Sequence, residues 1–345
     1  MTISAYSLML PQEPEGKCYK ISGRIQRVTL CDPKDPGLVY EQIKPYSECS
    51  ELLKRIILRQ KEGAIDEAKL KMLFKRSFSK WSFYENVFLS ASETLSNRLE
   101  QLGVILDDEM QHLRFYLTDG SQNGHIGHYT KGNSIFIISD AGGPYKLWIF
   151  NIAQKISKKY KFEFIKHLTH EFYHVLSRHN PELQEELYEK IGFFHCDPNL
   201  PEEVKNRQYY NSDLPYNVRR KCGDRWAMPI TLIDESKCTF DGKIKRKEGS
   251  LPLPDFWEVR WFIVETDLEG DWQLVAENGG YQYLKSPPNL AEEFGVDYTV
   301  HPEEILAELF VRWVWPEKIT NIKVKEYFRY FDEAFTQASS NPNIY

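Results

Sequence analysis

The stretch of sequence that decides how this chain is interpreted lies at residues 168–176 and reads LTHEFYHVL. It places His170 and His174 four residues apart, with Glu171 directly after the first histidine. On a helix, side chains four residues apart lie one turn above each other, so both imidazoles can reach a single ion. The pattern therefore predicts a helical metal site in which His170 and His174 are ligands.

The residue types in this pattern favour Zn²⁺ as the ion and water as a reactant. Zinc binds imidazole nitrogen readily, and the carboxylate of Glu171 would lie close enough to act on water held by the ion. The pattern therefore predicts one Zn²⁺ per chain, with Glu171 as the catalytic base and not as a ligand. The alternative is a pair of ordinary histidines whose hydrogen bonds are satisfied within the protein.

Apolar residues around the motif form an arc on the helix that is separate from the three motif residues. The arc contains Phe164, Ile165, Leu168, Phe172, Val175 and Leu176. This division predicts that one face packs into the core while the other holds the ion. His167 lies on the polar stripe one turn before the motif, and three successive helical ligands rarely converge on one tetrahedral ion. We therefore interpret His167 as a structural residue or as a hydrogen-bond partner of the site.

The residues directly after the motif do not supply a third ligand. Ser177 and Asn180 stand where the metzincin pattern has glycine and histidine, and His179 is one residue out of register. A better candidate lies far downstream, where residues 301–311 read HPEEILAELFV.

This downstream segment predicts a buried helix that carries two acidic residues on one face. Pro302 suits the first turn of a helix, and Glu304 and Glu308 lie four residues apart in an otherwise apolar run. Two buried like charges cost free energy unless positive groups meet them. Zn²⁺ on Glu304 and an imidazole N–H donated to Glu308 would meet both needs, and Ala307 would let the two helices approach closely. The alternative is a partly exposed acidic first turn, which the helix dipole favours.

A His-Glu-x-x-His motif followed by a distant Glu-x-x-Ala-acid helix resembles the gluzincins, the thermolysin-like zinc peptidases. The stretch 176–193 is also similar to uncharacterised bacterial peptidases. The resemblance implies that His170, His174 and Glu304 hold the zinc and that Glu308 accepts a hydrogen bond from a ligating histidine. It also implies that the protein hydrolyses peptide bonds in protein or peptide substrates.

The specific resemblance covers residues 167–193 and 298–311. Residues 175–303, 129 in all, separate His174 from Glu304, which is long for these peptidases. An inserted subdomain at about 195–285 would explain the length. Within it, residues 195–255 are polar and rich in proline and tyrosine, and we expect them to form a binding loop or lid.

The resemblance also implies an edge strand that pairs with an extended substrate and a donor that stabilises the tetrahedral oxyanion. Residues 134–139 lie in the right place for the edge strand, although an interior strand is the alternative. Tyr298 is the predicted oxyanion donor, and His301, Tyr281 and Tyr283 are further candidates.

The composition of the whole chain is that of a water-soluble globular protein. It has 345 residues, 41% of them hydrophobic, and a formal net charge of −6, which argues against a general nucleic-acid binder. No apolar stretch reaches the roughly 20 residues of a membrane span, and no secretory signal is visible at the start. Six cysteines without C-x-x-C spacing favour reduced thiols and a cytoplasmic protein, although export by a non-classical route would fit the same sequence.

Together these features predict an α+β fold. We expect a zincin-like domain at residues 111–345 behind a smaller N-terminal subdomain of strands, loops and mostly helices at residues 1–110. The predicted function is that of a substrate-selective zinc metallopeptidase. A zinc hydrolase of a non-peptide amide and a non-enzymatic, zinc-stabilised binding protein are the alternatives.

Overall fold

The computed structural model describes residues 16–33, 36, 39–40, 50–58, 60, 62–81, 85–119, 128–138, 158–209, 213–214, 217–237, 257–296, 301–316 and 322–336. These residues form helices and sheets in one chain, which confirms the α+β class. No helix within the described ranges is long and apolar enough to cross a membrane.

The first sheet has five strands and is mostly parallel at its centre. Its strands are β1 (Gly16–Lys20), β2 (Arg27–Cys31), β3 (His112–Thr118), β4 (Tyr129–Lys131) and β5 (Ser134–Ile138). Their order is β1-β2-β3-β5-β4, with parallel pairing from β2 through β3 to β5 and antiparallel pairing at both edges. Strands from both sides of residue 110 thus share one sheet, and the division of the chain into two domains stays a prediction.

The prediction that residues 134–139 form the edge strand is wrong. Strand β5 is hydrogen-bonded on both sides, to β3 and to β4, and all five of its residues are buried. A turn at Gly132, whose φ of +55° suits glycine, folds the chain back so that Thr130 pairs with Ile135. The outer edge of the sheet therefore belongs to the short strand β4.

Helices cover both faces of this sheet because alternate side chains of its strands point to opposite sides. On one face, Tyr116 and Phe136 stack with ring centroids 4.8 Å apart and join a cluster with α1 (Glu51–Leu58) and α2 (Glu67–Ser77). On the other, Phe115 and Ile135 join the main core with α3 (Glu85–Gln101) and α4 (Lys158–His179). Helix α4 carries the His-Glu-x-x-His motif, and all six residues of its predicted apolar arc are buried.

Five further helices follow α4 within the described residues. They are α5 (Pro181–Lys190), the single turn α6 (Glu202–Lys205), α7 (Leu290–Phe294) and α8 (Pro302–Val314), and the last described helix is α9 (Ile322–Phe335). Helix α8 begins at Pro302, as predicted, and packs directly on α4. Ala307 of α8 is fully buried, and Phe310 lies 5.2 Å from Tyr173 between ring centroids. This packing brings the first turn of α8 against the histidines of the motif.

A second sheet is built almost entirely from residues of the predicted insertion. Its strands are β6 (Phe193–His195), β7 (Val218–Cys222), β8 (Arg225–Ile233), β9 (Trp257–Thr266) and β10 (Trp272–Leu274), and a two-stranded ribbon of β11 (Ala276–Glu277) and β12 (Gly280–Tyr281) follows. All neighbours in the order β10-β9-β8-β7-β6 are antiparallel. The interpretation of residues 195–255 as one long loop is therefore wrong for the part that forms β7 and β8.

Candidate metal centre

Three side chains from α4 and the first turn of α8 converge on one point. His170 Nε2 lies 3.1 Å from Glu304 Oε2, and His174 Nε2 lies 3.7 Å from the same oxygen. One ligand atom from each of the three residues lies within 4.8 Å of the others. The i, i+4 spacing of the histidines on one helix and the burial of α8 together produce this arrangement.

The separations of these atoms fit a tetrahedral zinc ion. Bonds of about 2.0–2.2 Å to zinc require neighbouring ligand atoms about 3.3–3.6 Å apart. The distance of 3.1 Å from His170 to Glu304 lies just below that range, and the distance of 3.7 Å from His174 lies just above it. Two imidazole nitrogens and one carboxylate oxygen are also the donor set that zinc uses in sites with an open position.

The charges around the three residues favour a cation at the same point. Burial would raise the pKa of Glu304, but the charge of His174 and the hydrogen bond from His170 together lower it to about 2. Burial would lower the pKa of His170, but hydrogen bonds to Glu304 and Glu308 raise it well above the usual value. The carboxylates therefore draw positive charge to the imidazoles, whether as protons or as a bound metal ion.

Each histidine is also held on its other nitrogen by a carboxylate. His174 Nδ1 lies 3.1 Å from Glu303 Oε1, and His170 Nδ1 lies 3.5 Å from Glu308 Oε1. When each Nδ1–H donates to its carboxylate, the lone pair of Nε2 is left for the ion. Glu308 thus lies beside His170, one of the two histidines predicted to bind the ion.

Glu303 is a residue of the site that the sequence analysis missed. Its side chain is 0% exposed. Besides His174, it accepts hydrogen bonds from Ser177 Oγ, from Gln184 Nε2 at 3.0 Å and from Tyr188 Oη at 2.6 Å. Burial would raise its pKa, but these bonds, with that of His174 first, lower it. The sequence contains one signal for this network. Gln184 and Tyr188 lie four residues apart on the helix that follows the motif helix, so both side chains can reach one partner.

Glu171, the predicted base, is buried beside His174. It is 4% exposed, and its Oε1 lies 3.5 Å from His167 Nε2. Among the described residues, its Oε2 has no hydrogen-bond partner although it is buried. Burial, and then the negative charge of Asp213, raise the pKa of Glu171 to about 7. A buried carboxylate oxygen without a donor is costly, so it marks a place where a ligand with a proton to donate would bind.

His167 is not part of the group formed by His170, His174 and Glu304 but lies next to Glu171, together with a second imidazole. The ring of His128 contacts that of His167 with centroids 4.6 Å apart, and His128 Nδ1 accepts a hydrogen bond of 2.8 Å from the Ile138 amide. Burial lowers the pKa of His128 to about 4 and that of His167 well below its usual value. Both rings are therefore neutral at pH 7.

Asp213 is a second residue that the sequence analysis missed. It is 5% exposed and offers an oxygen within 4.8 Å of ligand atoms of both Glu171 and His174. Its Oδ1 accepts hydrogen bonds from Thr130 N at 2.8 Å and from Thr130 Oγ1 at 2.6 Å. No motif surrounds Asp213 in the sequence, so only the tertiary fold identifies it.

The other predicted site residues lie elsewhere or are not described. Tyr298, the predicted oxyanion donor, lies outside the described residues. The ring of His301 caps α8, because its Nδ1 accepts a hydrogen bond of 3.2 Å from the Glu303 amide. Tyr281 belongs to β12, and Tyr283 is exposed beside Arg260, with the guanidinium 5.5 Å from the ring centroid.

Neither a family model nor a curated protein nor a solved structure matches this chain. The case for its function therefore depends on the geometry of the site itself.

Proposed function

We propose that this protein is a zinc-dependent metallopeptidase with a zincin-like catalytic domain. In this proposal His170, His174 and Glu304 hold one Zn²⁺ and Glu171 is the catalytic base. The observation that carries the proposal is the approach of both Nε2 atoms to one oxygen of Glu304, beside a buried base. The resemblance of both sequence segments to the gluzincins supports the same assignment.

The proposed reaction is the hydrolysis of a peptide bond by water. Zn²⁺ held by His170, His174 and Glu304 would polarise a carbonyl group and would lower the pKa of water in the open position to about 7. Glu171 Oε2 takes a proton from the attacking water as the C–O bond forms and gives it to the leaving nitrogen as the C–N bond breaks. His167 Nε2 lies 3.5 Å from the other oxygen of Glu171, beside the proposed base. Glu303 and Glu308 fix the orientation of the two imidazoles.

A catalytic role explains the burial of Glu171 beside the proposed ion better than a structural zinc site does. A structural site needs ligands, usually four, but has no need of an additional buried carboxylate with an unpartnered oxygen. Such a group lowers the stability of the fold, and catalysis is a physical reason for retaining it.

The burial of the site supports a selective enzyme. His174, Glu171 and Glu304 are all buried, so an unfolded polypeptide has little access to them in this conformation. We therefore expect weak cleavage of generic unfolded proteins and faster cleavage of a particular sequence or partner. A non-peptide amide is an alternative substrate that would use the same chemistry.

A non-enzymatic, zinc-stabilised binding protein is the second candidate function. Asp213 is the observation that favours it, because this carboxylate lies close to His174 and Glu171 on one side of the site. A protein side chain that permanently filled the fourth position of the ion would leave no place for substrate.

Peptide cleavage with controlled metal content separates these candidates. The purified protein is offered a broad peptide library as isolated, after removal of zinc with a chelator, and after zinc is restored. Cleavage that disappears with the chelator and returns with zinc is the expected result. If no peptide or amide is cut while one zinc ion per chain stays bound, the binding protein replaces the enzyme.

A further inference from the structure

One half of a face of the first sheet is formed mainly by basic side chains. Alternate residues of a strand share a face, so the pairing of the strands shows which side chains lie together. The basic side chains of this half, which define the basic face, are Lys20, Arg27, His112, Arg114 and Lys131. The other half of the same face packs on α1 and α2 through Tyr116 and Phe136. In the five described strands, no aspartate or glutamate belongs to this side of the sheet.

The residues of the basic face lie in two rows that run across the strands. In the first row, Arg27 of β2 lies directly opposite Lys20 of β1 and His112 of β3. In the second row, Arg114 of β3 lies directly opposite Ser134 of β5. Two residues of a strand separate the rows, so they are about 7 Å apart. Like charges directly opposite each other destabilise a sheet, so Lys20 and Arg27 cost free energy unless an anion offsets their charge.

Arg114 is a half-buried cation whose charge no described side chain offsets. Its Nε is buried and has no hydrogen-bond partner among the described residues. The charge of Arg114 acts on Cys31 and Tyr116, but burial raises the pKa of the Cys31 thiol to about 12 and raises the pKa of the Tyr116 phenol further. Both groups are therefore uncharged at pH 7. A buried charged donor without an acceptor is costly, and a bound anion would remove that cost.

Protection of the sheet edges does not explain the whole basic face. Lysine on an edge strand prevents unwanted pairing, and this accounts for Lys20 on β1 and Lys131 on β4. Arg114 lies on β3, the middle strand, where no edge needs protection. The nearby acidic residue Glu109 does not serve as a counter-ion, because its Oε2 lies 3.8 Å from His179 Nδ1 on the side of α4.

We propose that the basic face binds a small molecule or a lipid headgroup that carries two or more phosphate groups. A guanidinium group pairs with phosphate through two parallel hydrogen bonds, and Arg27 and Arg114 supply one such group in each row. The hydroxyl of Ser134, directly beside Arg114, is a further donor. This inference does not depend on the proposed peptidase, because none of these residues belongs to the candidate metal centre.

The same face is a poor surface for nucleic acid or for an acidic peptide. Single-stranded nucleic acids are usually held by stacking of their bases on exposed aromatic rings. The aromatic residues on this side of the described strands, Tyr116, Tyr129 and Phe136, are all buried. An extended peptide is usually held by backbone hydrogen bonds at a sheet edge, whereas Arg27 and Arg114 lie on strands that are paired on both sides.

Calorimetric titration of the protein with inositol trisphosphate tests this inference without measuring catalysis. Inositol monophosphate is the comparison ligand, and a salt concentration of about 0.15 M screens charges more than about 8 Å apart. Arg27→Glu reverses an exposed charge of the first row, and Arg114→Gln removes the charge of the second. Arg225→Glu is the matched control, because it makes the same change in net charge at an exposed arginine of the second sheet. His174→Ala controls for binding of phosphate at the metal centre.

We expect the wild type to bind the trisphosphate more tightly than the monophosphate. Arg27→Glu and Arg114→Gln should each weaken trisphosphate binding at least about tenfold, because each loses charge-assisted hydrogen bonds. Arg225→Glu and His174→Ala should bind it as the wild type does. If Arg114→Gln fails to fold, Arg27→Glu decides the question, since Arg27 is exposed.

Three results would overturn the inference. They are no binding of trisphosphate by the wild type, equal affinity for the monophosphate, and wild-type affinity in folded Arg27→Glu or Arg114→Gln. Loss of binding in His174→Ala alone would place the ligand at the metal centre and would also overturn it. Tighter binding of a single-stranded oligonucleotide or of polyglutamate, equally sensitive to Arg27→Glu, would replace the proposed ligand by that polymer.

Sedimentation with vesicles identifies the source of the phosphate groups. The vesicles contain phosphatidylcholine with or without phosphatidylinositol bisphosphate. Binding that requires the bisphosphate lipid and is lost in Arg27→Glu would identify a lipid headgroup. Binding of free trisphosphate without binding of vesicles would identify a soluble ligand. Both results support the inference, and neither changes the outcome of the peptide-cleavage experiment.

Discussion

His174 Nδ1 lies 3.1 Å from Glu303 Oε1, so the second histidine of the motif is bound to the residue directly before the proposed third ligand. This contact joins α4 to the first turn of α8, and it is fully buried at both ends. Adjacent glutamates on α8 thus have different partners. Glu303 contacts His174 Nδ1, and Glu304 faces the Nε2 atoms of His170 and His174, where we propose that zinc binds.

The first prediction concerns Glu303. In the wild type, Ser177, Gln184 and Tyr188 donate hydrogen bonds to the carboxylate of Glu303. In Glu303→Gln, these donors would face an amide group. We expect metal affinity to fall about 10–100-fold because His174 loses its orienting partner. We also expect the metal-free protein to lose about 3–5 kcal/mol of unfolding free energy, since a buried charged partner is removed. Chelator competition and urea unfolding measure the two effects.

Glu308→Gln is the matched control for this prediction. Glu308 holds the other histidine, but its side chain is 36% exposed and can exchange its contacts with water. Glu308→Gln should lower metal affinity but should have little effect on the unfolding free energy of the metal-free protein. Equal unfolding free energies for Glu303→Gln and the wild type would show that the Glu303 network does not stabilise the fold.

The second prediction concerns the ligands. His174→Ala and Glu304→Ala should each lose zinc on dialysis against a competing chelator, while the wild type keeps one ion per chain. Elemental analysis by mass spectrometry gives the zinc content. His195→Ala, an exposed histidine of β6, is the control and should keep zinc. Full zinc occupancy in Glu304→Ala would place the third ligand elsewhere.

The third prediction concerns the close approach of α4 and α8. Ala307 is fully buried between Glu304 and Glu308 on the helix face that meets α4. A larger side chain there should push the helices apart, so Ala307→Leu should cost about 1–3 kcal/mol of unfolding free energy and weaken zinc binding. Ala276→Leu, at an exposed position of β11, should change neither quantity. An Ala307→Leu protein that binds zinc as tightly as the wild type would contradict this account of the packing.

The helical part of the site could be predicted from sequence because its information is local. His170 and His174 on one helix, and Glu304 and Glu308 on another, follow from a spacing of four residues. The apolar arc around the motif predicted the buried face of α4 for the same reason. That these two helices face each other was inferred from the need of buried carboxylates for positive partners.

The remaining parts depend on contacts between distant segments. Asp213 reaches β4 across 83 residues of sequence, and no periodic pattern encodes such a contact. The edge strand was misplaced because β5 is strongly apolar, whereas β4 has three residues and little sequence signal. Residues 195–255 were interpreted as a loop because their polar and proline-rich composition obscured the strands β7 and β8.

The rate of peptide cleavage by zinc-loaded Glu171→Gln tests the central claim most directly. Glutamine keeps the shape of the side chain but cannot take a proton from water, and Glu171 is not a ligand in this account. The variant should therefore hold one zinc ion per chain and unfold at the wild-type temperature or above it, while kcat falls about 100- to 10,000-fold. Cleavage at a rate close to that of the wild type, with zinc content unchanged, would contradict the assignment of Glu171 as the base.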